Sequence, residues 1–507
     1  MRAFAFALGA SLCVLSARAD AFCGFYVGGA GAQMFNNATE VVLMRHGTTT
    51  VLSMQNNYQG PPDKFALVVP VPVVVKESQV KTLDRAIFDK VDTLGAPRLV
   101  EYWEQDPCYV APPVEYAPMP EAMDDSAAGA EADNVAPRKD YHVKVEAKFS
   151  VGEYDIEVLS AEQSTGLDAW LRDHKYTIPA NAEPLLRPYV EQGTKWFVAK
   201  VDPKKVKFEN GMATLSPLRF YYDSPEFTLP IRLGLANSSG TQDLIVNILA
   251  PNEVRYEVAN YPNVTIPTNL IVTDDVRTRF GEFYAALFDH VIDAVPHAVV
   301  TEYAWSAGSC DPCPGPTLDG NDLATLGSDI IASTYKDVNE YNFTLTRLHA
   351  RYGKDLGNDL VFRAVDAIVG GRGIPDEHGV LPTTVDRDSS NNFQGRYVIL
   401  HPWTGEIACA SPQRGRWGGP PGNQIATQTQ TAQNTAFVPR GNVQLASLLK
   451  TSVPQIGVLS SVGQTLPLGV RQPQGCGCQA ARGGAAGVLG GVVIVGFLVL
   501  GGRRRRR

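Results

Sequence analysis

The sequence predicts a strand-rich α+β fold for the part of the chain between its two ends. Runs of β-branched residues such as Phe65–Pro72 and Leu244–Pro251 are bounded by Asn, Gly and Pro, which is typical of strands. Apolar residues at helical spacing follow Ser164, a suitable N-cap, through Leu171. Helices packed on sheet are therefore the expected architecture.

Two segments about 200 residues apart resemble each other. The first contains Phe88–Asp92 and a strand-like run through Trp103, and the second contains Phe288–Asp293 and a similar run through Trp305. Each has a helix end, a Pro-led strand with a Glu-Tyr pair, a tryptophan, and a turn that ends in cysteine. We interpret them as a duplication, with chance similarity as the alternative.

A hairpin-like pattern precedes each of these segments. In the first half, Thr50–Gln55 and Phe65–Pro72 flank a polar turn, and in the second half Pro230–Ala236 and Leu244–Pro251 flank another. Paired strands are the expected structure. The sequence thus predicts a repeated strand–turn–strand–helix–strand unit.

The remaining elements are predicted from the same periodicities. Phe149–Leu159 alternates like a half-buried strand, and Trp196–Val201 is a second strand. Asn342–Val369 has apolar residues at spacings of three and four, which predicts a helix. Arg396–Trp403 and Glu406–Cys409 are predicted as partner strands around a Thr-Gly turn.

The chain divides into seven regions by composition. We assign residues 1–21 to a signal peptide, 22–108 to a first α+β unit, 109–140 to a disordered acidic Pro/Ala-rich insertion, 141–410 to the remainder of the exported domain, 411–484 to a loop and a Gly/Gln/Pro-rich stalk with a Cys motif, 485–502 to a transmembrane helix, and 503–507 to a cytoplasmic arginine cluster.

The two ends predict export and anchoring. Arg2 followed by the short apolar run Ala3–Leu15 is typical of a secretory signal peptide. The uncharged run Ala485–Gly502 is long enough to cross a bilayer as a helix. Arg503–Arg507 would then stay in the cytoplasm by the positive-inside rule. These arginines disfavour the alternative, a buried core helix.

The charge balance disfavours nucleic acid as a partner. The formal net charge is −8, and the terminal arginine block lies on the cytoplasmic side of the predicted membrane helix. The exported part is therefore more acidic than the whole chain, whereas nucleic-acid binding requires a basic surface.

Five cysteines remain as disulfide candidates once the signal peptide and the tail are set aside: Cys23, Cys108, Cys310, Cys313 and Cys409. The odd number leaves at least one of them unpaired within this set. Cys310-Asp-Pro-Cys313 predicts a structural disulfide, local or to Cys409, and a thiol oxidoreductase is the alternative. The repeat suggests the pairs Cys23–Cys108 and Cys313–Cys409.

No sequence pattern identifies catalytic, cofactor-binding or metal-binding residues. The histidines have no HExxH spacing, and neither GxGxxG nor GxSxG occurs. His401 and Cys409 could form a base–thiol pair, but a buried or disulfide-bonded cysteine is the more common arrangement. The loop Arg414–Trp417 offers an Arg/Trp patch that could bind a partner or a glycan, or could pack on the sheet.

Several stretches together resemble a bacterial family known as domain of unknown function 2330. They are Cys23-Gly-Phe-Tyr26, Asn56-Asn-Tyr58 with Phe65–Pro72, Leu167–Leu171 with Tyr176 and Pro179, Pro217–Tyr222 with Pro230–Leu233, and Leu345–Tyr352. The resemblance covers most of residues 22 to about 410. It implies no activity, catalytic residue or cofactor.

The tail resembles the MYXO-CTERM sorting signal, which combines a cysteine motif, an apolar helix and an arginine cluster. Cys476 or Cys478 matches the cysteine position, and Arg503–Arg507 match the cluster. The resemblance implies that a membrane sorting protease cuts near the cysteine, with lipid attachment there as an option, and that the protein reaches the cell surface. A permanent single-span anchor is the alternative.

From the sequence we expect an exported, envelope- or surface-anchored protein that serves as a non-catalytic binding or structural module. The alternatives are an exported hydrolase whose polar residues converge only in the fold, and a thiol oxidoreductase that uses Cys310 and Cys313. The membrane and a sorting protease are the expected partners, and the extracellular ligand is unknown.

Overall fold

The computed structural model describes residues 25–462 except 28–34, 37–38, 56–57, 60–65, 110–140, 175, 177, 179–181, 210–211, 238–240, 354–357, 376–379, 421–428 and 432–442. The signal peptide, the acidic insertion, Cys23, the Cys476/Cys478 motif and the predicted membrane helix lie outside these residues. Among the described residues, no helix has both the length and the apolar character needed to cross a membrane.

The described α-helices are α1 (Ala86–Gly95), α2 (Ser164–Asp173), α3 (Ala182–Glu191), α4 (Phe280–Ala294), α5 (Gly320–Leu326) and α6 (Ser328–Thr334). Short 3-10 helices span Glu77–Gln79, Arg232–Asn237, Asp274–Thr278 and Leu445–Leu448.

The strands up to residue 229 are β1 (Phe25–Val27), β2 (Phe35–Asn36), β3 (Thr39–His46), β4 (Thr49–Gln55), β5 (Tyr58–Gln59), β6 (Ala66–Val71), β7 (Val80–Thr82), β8 (Arg98–Glu104), β9 (Val143–Val151), β10 (Tyr154–Ala161), β11 (Lys195–Val201), β12 (Lys207–Glu209), β13 (Met212–Thr214), β14 (Leu218–Asp223) and β15 (Thr228–Leu229).

The later strands are β16 (Gln242–Pro251), β17 (Arg255–Val258), β18 (Asn263–Thr265), β19 (Leu270–Ile271), β20 (Val299–Ser306), β21 (Phe343–Tyr352), β22 (Leu360–Val365), β23 (Ile368–Gly370), β24 (Asp386–Arg387), β25 (Asn392–Gln394), β26 (Arg396–His401), β27 (Trp417–Gly418), β28 (Thr429–Thr431) and β29 (Val458–Ser460). The predicted class, strand-rich α+β, is confirmed.

Three sheets organise these strands. A mixed central sheet has the order β24-β23-β25-β20-β21-β16-β3-β4-β14-β7, and β18 pairs with β20 while β29 pairs with β18. An antiparallel sheet has the order β1-β6-β11-β10-β9, and a third has the order β19-β26-β8-β27 with β28 also on β8. Strands β12-β13, β15-β22-β17 and β2-β5 form smaller groups.

The central sheet packs against the antiparallel sheet on one face and against helices on the other. In β3, Val41 and Leu43 face the core between the two sheets, whereas Val42 and Met44 face the core under α1, α5 and α6. Side chains alternate between the two faces of a strand, so a strand covered on both faces is apolar throughout. Helices α2 and α3 cover the far side of the antiparallel sheet.

Helix α4 joins the central sheet to the third sheet. Phe283 and Phe288 belong to one buried cluster with Val300 of β20 and with Leu99 and Tyr397 of β8 and β26. This contact places the ends of β8 and β26 beside β25 of the central sheet, where the candidate site lies.

The predicted helix over Asn342–Val369 is wrong: β21, β22 and β23 occupy that segment. All of Phe343–Ala350 is buried, because β21 lies between β16 and β20 and is covered on both faces. Its apolar residues change faces, since Phe343 and Leu345 face the helices whereas Leu348, Ala350 and Tyr352 face the antiparallel sheet. The resulting spacing of three between Leu345 and Leu348 resembles that of a helix.

Both predicted hairpins are also wrong. Strands β4 and β6 exist, but β4 pairs with β3 and β14 while β6 pairs with β1 and β11 of the antiparallel sheet. In the second half, the 3-10 helix Arg232–Asn237 replaces the predicted strand. These segments are apolar because they are buried, and their composition is the same whichever neighbour they pack against. Composition therefore does not predict which strands pair.

Three local predictions need correction. Phe149–Leu159 is a hairpin of β9 and β10 that turns at Gly152, whose φ is 57°. Ser164 opens α2 instead of capping it, and its Oγ donates to Glu183. Glu406–Cys409 is not a strand, because β8 and β19 occupy both sides of β26. The fold also continues through residues 411–462, which contain β27, β28 and β29.

Candidate functional site

A cavity of about 600 Å³ lies where the third sheet meets β25. Its walls come from β8 and β26, from residues 372–375 and 380–383, from the loop after β20, and from β27. Pockets of 300–1,000 Å³ are the usual size for small-molecule sites. The cavity therefore has the dimensions of a ligand site.

Aromatic and aliphatic side chains form one wall of this cavity. Trp305, Trp417, Ile374 and Val380 line it, and the last two are 62% and 59% exposed. Large apolar side chains that remain this exposed are typical of surfaces that bind something. This wall suits an apolar group.

Polar side chains form the floor. Asn392 and Gln394 end β25 and Arg396 begins β26, so these alternate residues face one side of a continuous extended segment. All three line the cavity. Each has one buried polar atom that has no hydrogen-bond partner among the described residues, namely Asn392 Oδ1, Gln394 Oε1 and Arg396 Nε.

Two arginines are buried at this end of the third sheet. Arg396 Nη1 donates to Asn269 Oδ1 at 2.9 Å, and its Nη2 donates to the Tyr102 hydroxyl. Arg98 Nη1 donates to the Pro312 carbonyl at 2.9 Å, and Nη2 donates to the Leu94 carbonyl at 2.6 Å. Among the described residues, neither guanidinium forms an ion pair with a carboxylate. Burial lowers the pKa of Arg98, and the positive charge of Arg396 adds to that lowering.

The Cys310-Asp-Pro-Cys313 loop borders the cavity. Its two cysteines form a local disulfide, and Asp311 and Pro312 line the cavity. The carbonyl oxygens of these two residues accept hydrogen bonds from Gln394 and Arg98. The local pairing left open from the sequence is the one observed.

A second disulfide joins Cys108 to Cys409. The proposed pair Cys313–Cys409 is therefore wrong, and Cys108 is not available to Cys23. Strands β8 and β26 are parallel neighbours, so the residues that follow them emerge at the same end of the sheet. That topology brings Cys108 and Cys409 together across 301 residues.

Glu104 holds the segment 403–418, which carries Trp417, against β8. Its buried carboxylate accepts from Arg414 Nε at 2.7 Å, from the Gly415 N–H at 2.8 Å and from the Trp403 N–H at 2.9 Å. The hydrogen bond from Arg414, followed by the bonds from these backbone groups, overcomes burial and lowers the pKa of Glu104 to about 2. Of the predicted Arg/Trp patch, Trp417 lines the cavity together with Gly415, whereas Arg414 and Arg416 bind Glu104 and the Asp106 carbonyl.

A different set of buried charges lies in the central sheet. Glu302 accepts from Arg347 Nε at 2.7 Å and contacts His349 Nδ1 at 2.7 Å, and it also accepts from the Tyr284 hydroxyl. Arg347 Nη1 in turn contacts Asp92 at 2.6 Å. Burial alone would raise the pKa of Glu302, but His349 and Arg347 outweigh it and lower that pKa to about 2.

A second, more polar cavity of about 690 Å³ lies beside α3 and β15. Two of its charged side chains, Asp359 and Arg232, pair with each other. Asp359 accepts from Arg232 at 3.1 Å and from the Tyr189 hydroxyl at 2.7 Å, and burial followed by the Asp359 charge raises the pKa of Tyr189 well above its ordinary value. Arg232 therefore has a carboxylate partner, whereas Arg396 has none among the described residues.

The other chemical candidates from the sequence do not converge. Cys409 is bonded to Cys108, and His401 instead contacts Glu101 at 2.7 Å and stacks on Trp103. The part of the chain that the structure describes contains no cluster of three or more His, Cys, Asp or Glu suited to a metal ion.

Sequence reasoning did not identify the floor of the cavity. Asn392, Gln394 and Arg396 fall at the edge of a stretch that looks irregular, and Tyr102 and Asn269 are distant along the chain. One signal was present: polar residues at i, i+2 and i+4 lead into the apolar strand Arg396–Leu400. Inward-facing polar residues in such a position are unusual.

Comparison with known proteins gives one match. No curated protein and no solved structure matches the chain. A family model described as "Uncharacterized protein conserved in bacteria (DUF2330)" matches residues 17–363. Arg372, Gln394 and Arg396 of the cavity lie beyond the matched residues. Because the match covers more than half of the chain, the protein belongs to the DUF2330 family of bacterial proteins.

Proposed function

We propose that this chain is an exported, surface-anchored, non-catalytic binding protein whose ligand occupies the Trp305/Trp417 cavity. One observation carries the proposal. The cavity of about 600 Å³ combines an exposed apolar wall with a floor of buried polar atoms that have no partner. Sites for small molecules typically combine an apolar lining with a few convergent polar groups.

The composition of the cavity supports binding over catalysis. Among the described lining residues, Asp311 is the one carboxylate, and no histidine, lysine or free thiol accompanies it. General acid–base catalysis requires a pair of groups that can exchange protons with the substrate near neutral pH. Arginine and amide side chains bind and orient a ligand but do not supply that exchange.

Export is supported by the apolar N-terminus and by the two disulfides. The Cys108–Cys409 and Cys310–Cys313 bonds fit an oxidising compartment outside the cytoplasm. Anchoring rests on the apolar run Ala485–Gly502 and the arginines behind it. The protein would then expose its cavity on the outer face of the envelope.

The tail is proposed to be a temporary anchor that a sorting protease cuts near Cys476 or Cys478. The cysteine motif beside an apolar helix and an arginine cluster supports this proposal. Peptide mass mapping of the unreduced protein from its own envelope tests it. We expect the mature surface form to end near the cysteines, and a tail peptide intact through Arg507 would contradict the proposal.

A duplication is proposed for the helix–strand pairs α1–β8 and α4–β20. Glu101 and Glu302, from the matching Glu-Tyr pairs, each bind one arginine and one histidine. The partners of Glu101 are Arg277 and His401. An experimental structure tests the idea by superposition: Glu101 should fall on Glu302, and a shifted register would contradict a shared origin.

Ligand screening with a blocked cavity tests the binding function. The full chain, purified in detergent, would be screened by thermal shift against amino acids, organic acids and sugars. We expect at least one class to raise the Tm of the wild type but not that of Ile374→Trp, which fills the cavity mouth. Val462→Trp, at a similarly exposed site (60%) outside the cavity, should behave like the wild type. A screen in which no compound raises the Tm, or in which Ile374→Trp responds fully, would contradict the proposal.

Thiol–disulfide exchange is the second candidate function. It is favoured by one observation: the Cys310–Cys313 disulfide borders the cavity, and Cys313 is exposed. A partner dithiol would be oxidised to a disulfide while Cys310 and Cys313 are reduced to thiols. If alkylation labels neither cysteine at any redox poise of an added dithiol, this candidate is excluded.

A further inference from the structure

The amide of Gln394 indicates which ligand group fits the cavity floor. Its Nε2 donates to the carbonyl oxygens of Asp311 at 2.8 Å and Gly371 at 3.1 Å. Because both partners are acceptors, the orientation of the amide is fixed, and Oε1 is left buried without a donor. An unsatisfied buried acceptor is costly, so this position suits a ligand that brings an N–H or O–H group.

Arg396 defines the charge of the floor. The residue is 0% exposed. Within the described part of the chain its N–H groups have two oxygen acceptors, those of Asn269 and Tyr102, and its guanidinium also lies over the Tyr102 ring. Asn269 cannot be turned to offer a different group, because its Nδ2 donates to the Arg372 and Pro382 carbonyls. A buried cation without a carboxylate is unfavourable unless an anion approaches it.

The wall between Arg396 and the cavity is thin. Gly373 lies directly on the guanidinium, and a Cβ at this position would come within 2.8 Å of Arg396 Nη2. The absence of a side chain there lets the positive field of Arg396 extend into the cavity, since Coulomb energy falls with distance and rises in a low-dielectric site.

Arg372 supplies an accessible cation at the rim. Its side chain is exposed and lines the cavity, and within the described part of the chain it forms no ion pair. Asp388 attracts it from beyond ion-pair distance, and Asp311 is the one carboxylate among the described lining residues. Among the described lining residues, two arginines stand against one aspartate, in a chain whose formal net charge is −8.

We infer that the cavity binds an α-amido carboxylate with an apolar side chain, which is the chemistry shared by an N-acylated amino acid and the C-terminal residue of a peptide. The ligand carboxylate forms an ion pair with Arg372, because guanidinium groups pair well with carboxylates. The positive charge of Arg396 adds to this attraction. The adjacent amide N–H satisfies Gln394 Oε1. The side chain lies against Trp305, Ile374 and Trp417. This inference rests on the proposed binding function.

Three matched probes test the inference by calorimetry on the full chain in detergent. N-acetyl-L-phenylalanine carries all three features, its carboxamide lacks the charge, and 3-phenylpropanoate lacks the amide. Hydrogen bonds to charged groups are stronger than those between neutral groups, so we expect the carboxamide to bind at least about tenfold more weakly. 3-phenylpropanoate should also bind more weakly than the parent acid.

A charge variant assigns the effect to the cavity. Arg372→Gln should weaken N-acetyl-L-phenylalanine about tenfold and leave the carboxamide unchanged, because only the acid has a charge for Arg372 to bind. Arg187→Gln is the matched control: Arg187 is an exposed arginine of α3 and lines neither cavity. Equal binding of the acid and the carboxamide, or equal loss with Arg187→Gln, would overturn the inference.

The source of the ligand is decided by one more pair of probes. A peptide C-terminus is identified if Gly-Gly-Phe binds more tightly than N-acetyl-L-phenylalanine and the C-terminal amide of Gly-Gly-Phe loses that affinity. Tighter binding of the acetylated amino acid would identify a free small molecule. If none of these carboxylates binds while a compound from the library still protects the wild type and not Ile374→Trp, the inference is wrong and the binding function stands. If no compound of any class binds, both fail.

Discussion

Two buried sets of charged side chains in this molecule differ in one respect. In the central sheet, Glu302 has Arg347, His349 and Tyr284 as partners, and Arg347 also has Asp92. At the cavity floor, Arg396 is equally buried, but its partners among the described residues are uncharged: the oxygens of Asn269 and Tyr102 and the Tyr102 ring. A satisfied buried network holds elements in one arrangement. A cation left without a counter-charge is better explained by a ligand.

This difference predicts where stability depends on charge. Arg347→Gln leaves Glu302 and Asp92 buried beside a neutral group, and removing one partner of a buried ion pair costs about 3–5 kcal/mol. We therefore expect a large fall in the free energy of unfolding, measured by urea titration of the full chain. Arg279→Gln is the control, because its pair with Glu282 is 43% and 47% exposed and should change stability by about 1 kcal/mol at most. If Arg347→Gln and Arg279→Gln cost the same, the network does not hold the fold.

The cavity wall should depend on a covalent link. Replacing both Cys108 and Cys409 by serine releases the segment that carries Trp417, and we expect a loss of about 2–4 kcal/mol of unfolding free energy. The same urea titration on the Cys310→Ser/Cys313→Ser protein should show a smaller loss, because this disulfide closes a separation of only 3 residues. A larger loss in the Cys310→Ser/Cys313→Ser protein would contradict the larger stabilising effect that we assign to the Cys108–Cys409 bond.

The acid dependence of stability should come from the buried carboxylates of the central sheet and of the cavity wall, and not from Arg396. The pKa values of Glu302 and Glu104 are about 2 against an ordinary value of 4.5. A carboxylate whose folded pKa is depressed stabilises the fold above its unfolded pKa, and that contribution is lost as the pH falls from about 5 toward 2. Unfolding free energies measured between pH 6 and pH 3 should therefore decrease. Glu104→Gln should reduce this slope, whereas Arg396→Gln should retain it.

Much of the fold could be read from the sequence, and the failures share a physical cause. Helix α1 with β8 and helix α4 with β20 were predicted because amphipathic helices and strands carry local signals. The partner strands of β4 and β6 could not be predicted, since strand pairing depends on which buried surfaces meet in the fold. The pattern of strand β21 resembles a helix, because its apolar residues move from one face of the strand to the other between Leu345 and Leu348.

The candidate site was harder to predict because its parts come from distant segments. Tyr102 and Arg396 are separated by 294 residues, and only the parallel pairing of β8 with β26 brings them together. The same pairing of β8 with β26 brings Cys108 to Cys409, whereas the repeat predicts the pairs Cys23–Cys108 and Cys313–Cys409. A single sequence shows that Arg98 and Arg396 begin apolar strands. It does not show that both lack a carboxylate partner among the described residues.

Substitution of Arg396 is the most direct test of the difference between the two regions. Arg396→Gln removes the charge and retains an N–H donor for Asn269, so no counter-ion is left behind. We predict that the unfolding free energy without ligand stays within about 1 kcal/mol of the wild type or increases, because functional groups are often held at a cost to stability. A loss of about 3 kcal/mol or more, like that expected for Arg347→Gln, would contradict the account and make Arg396 a structural residue.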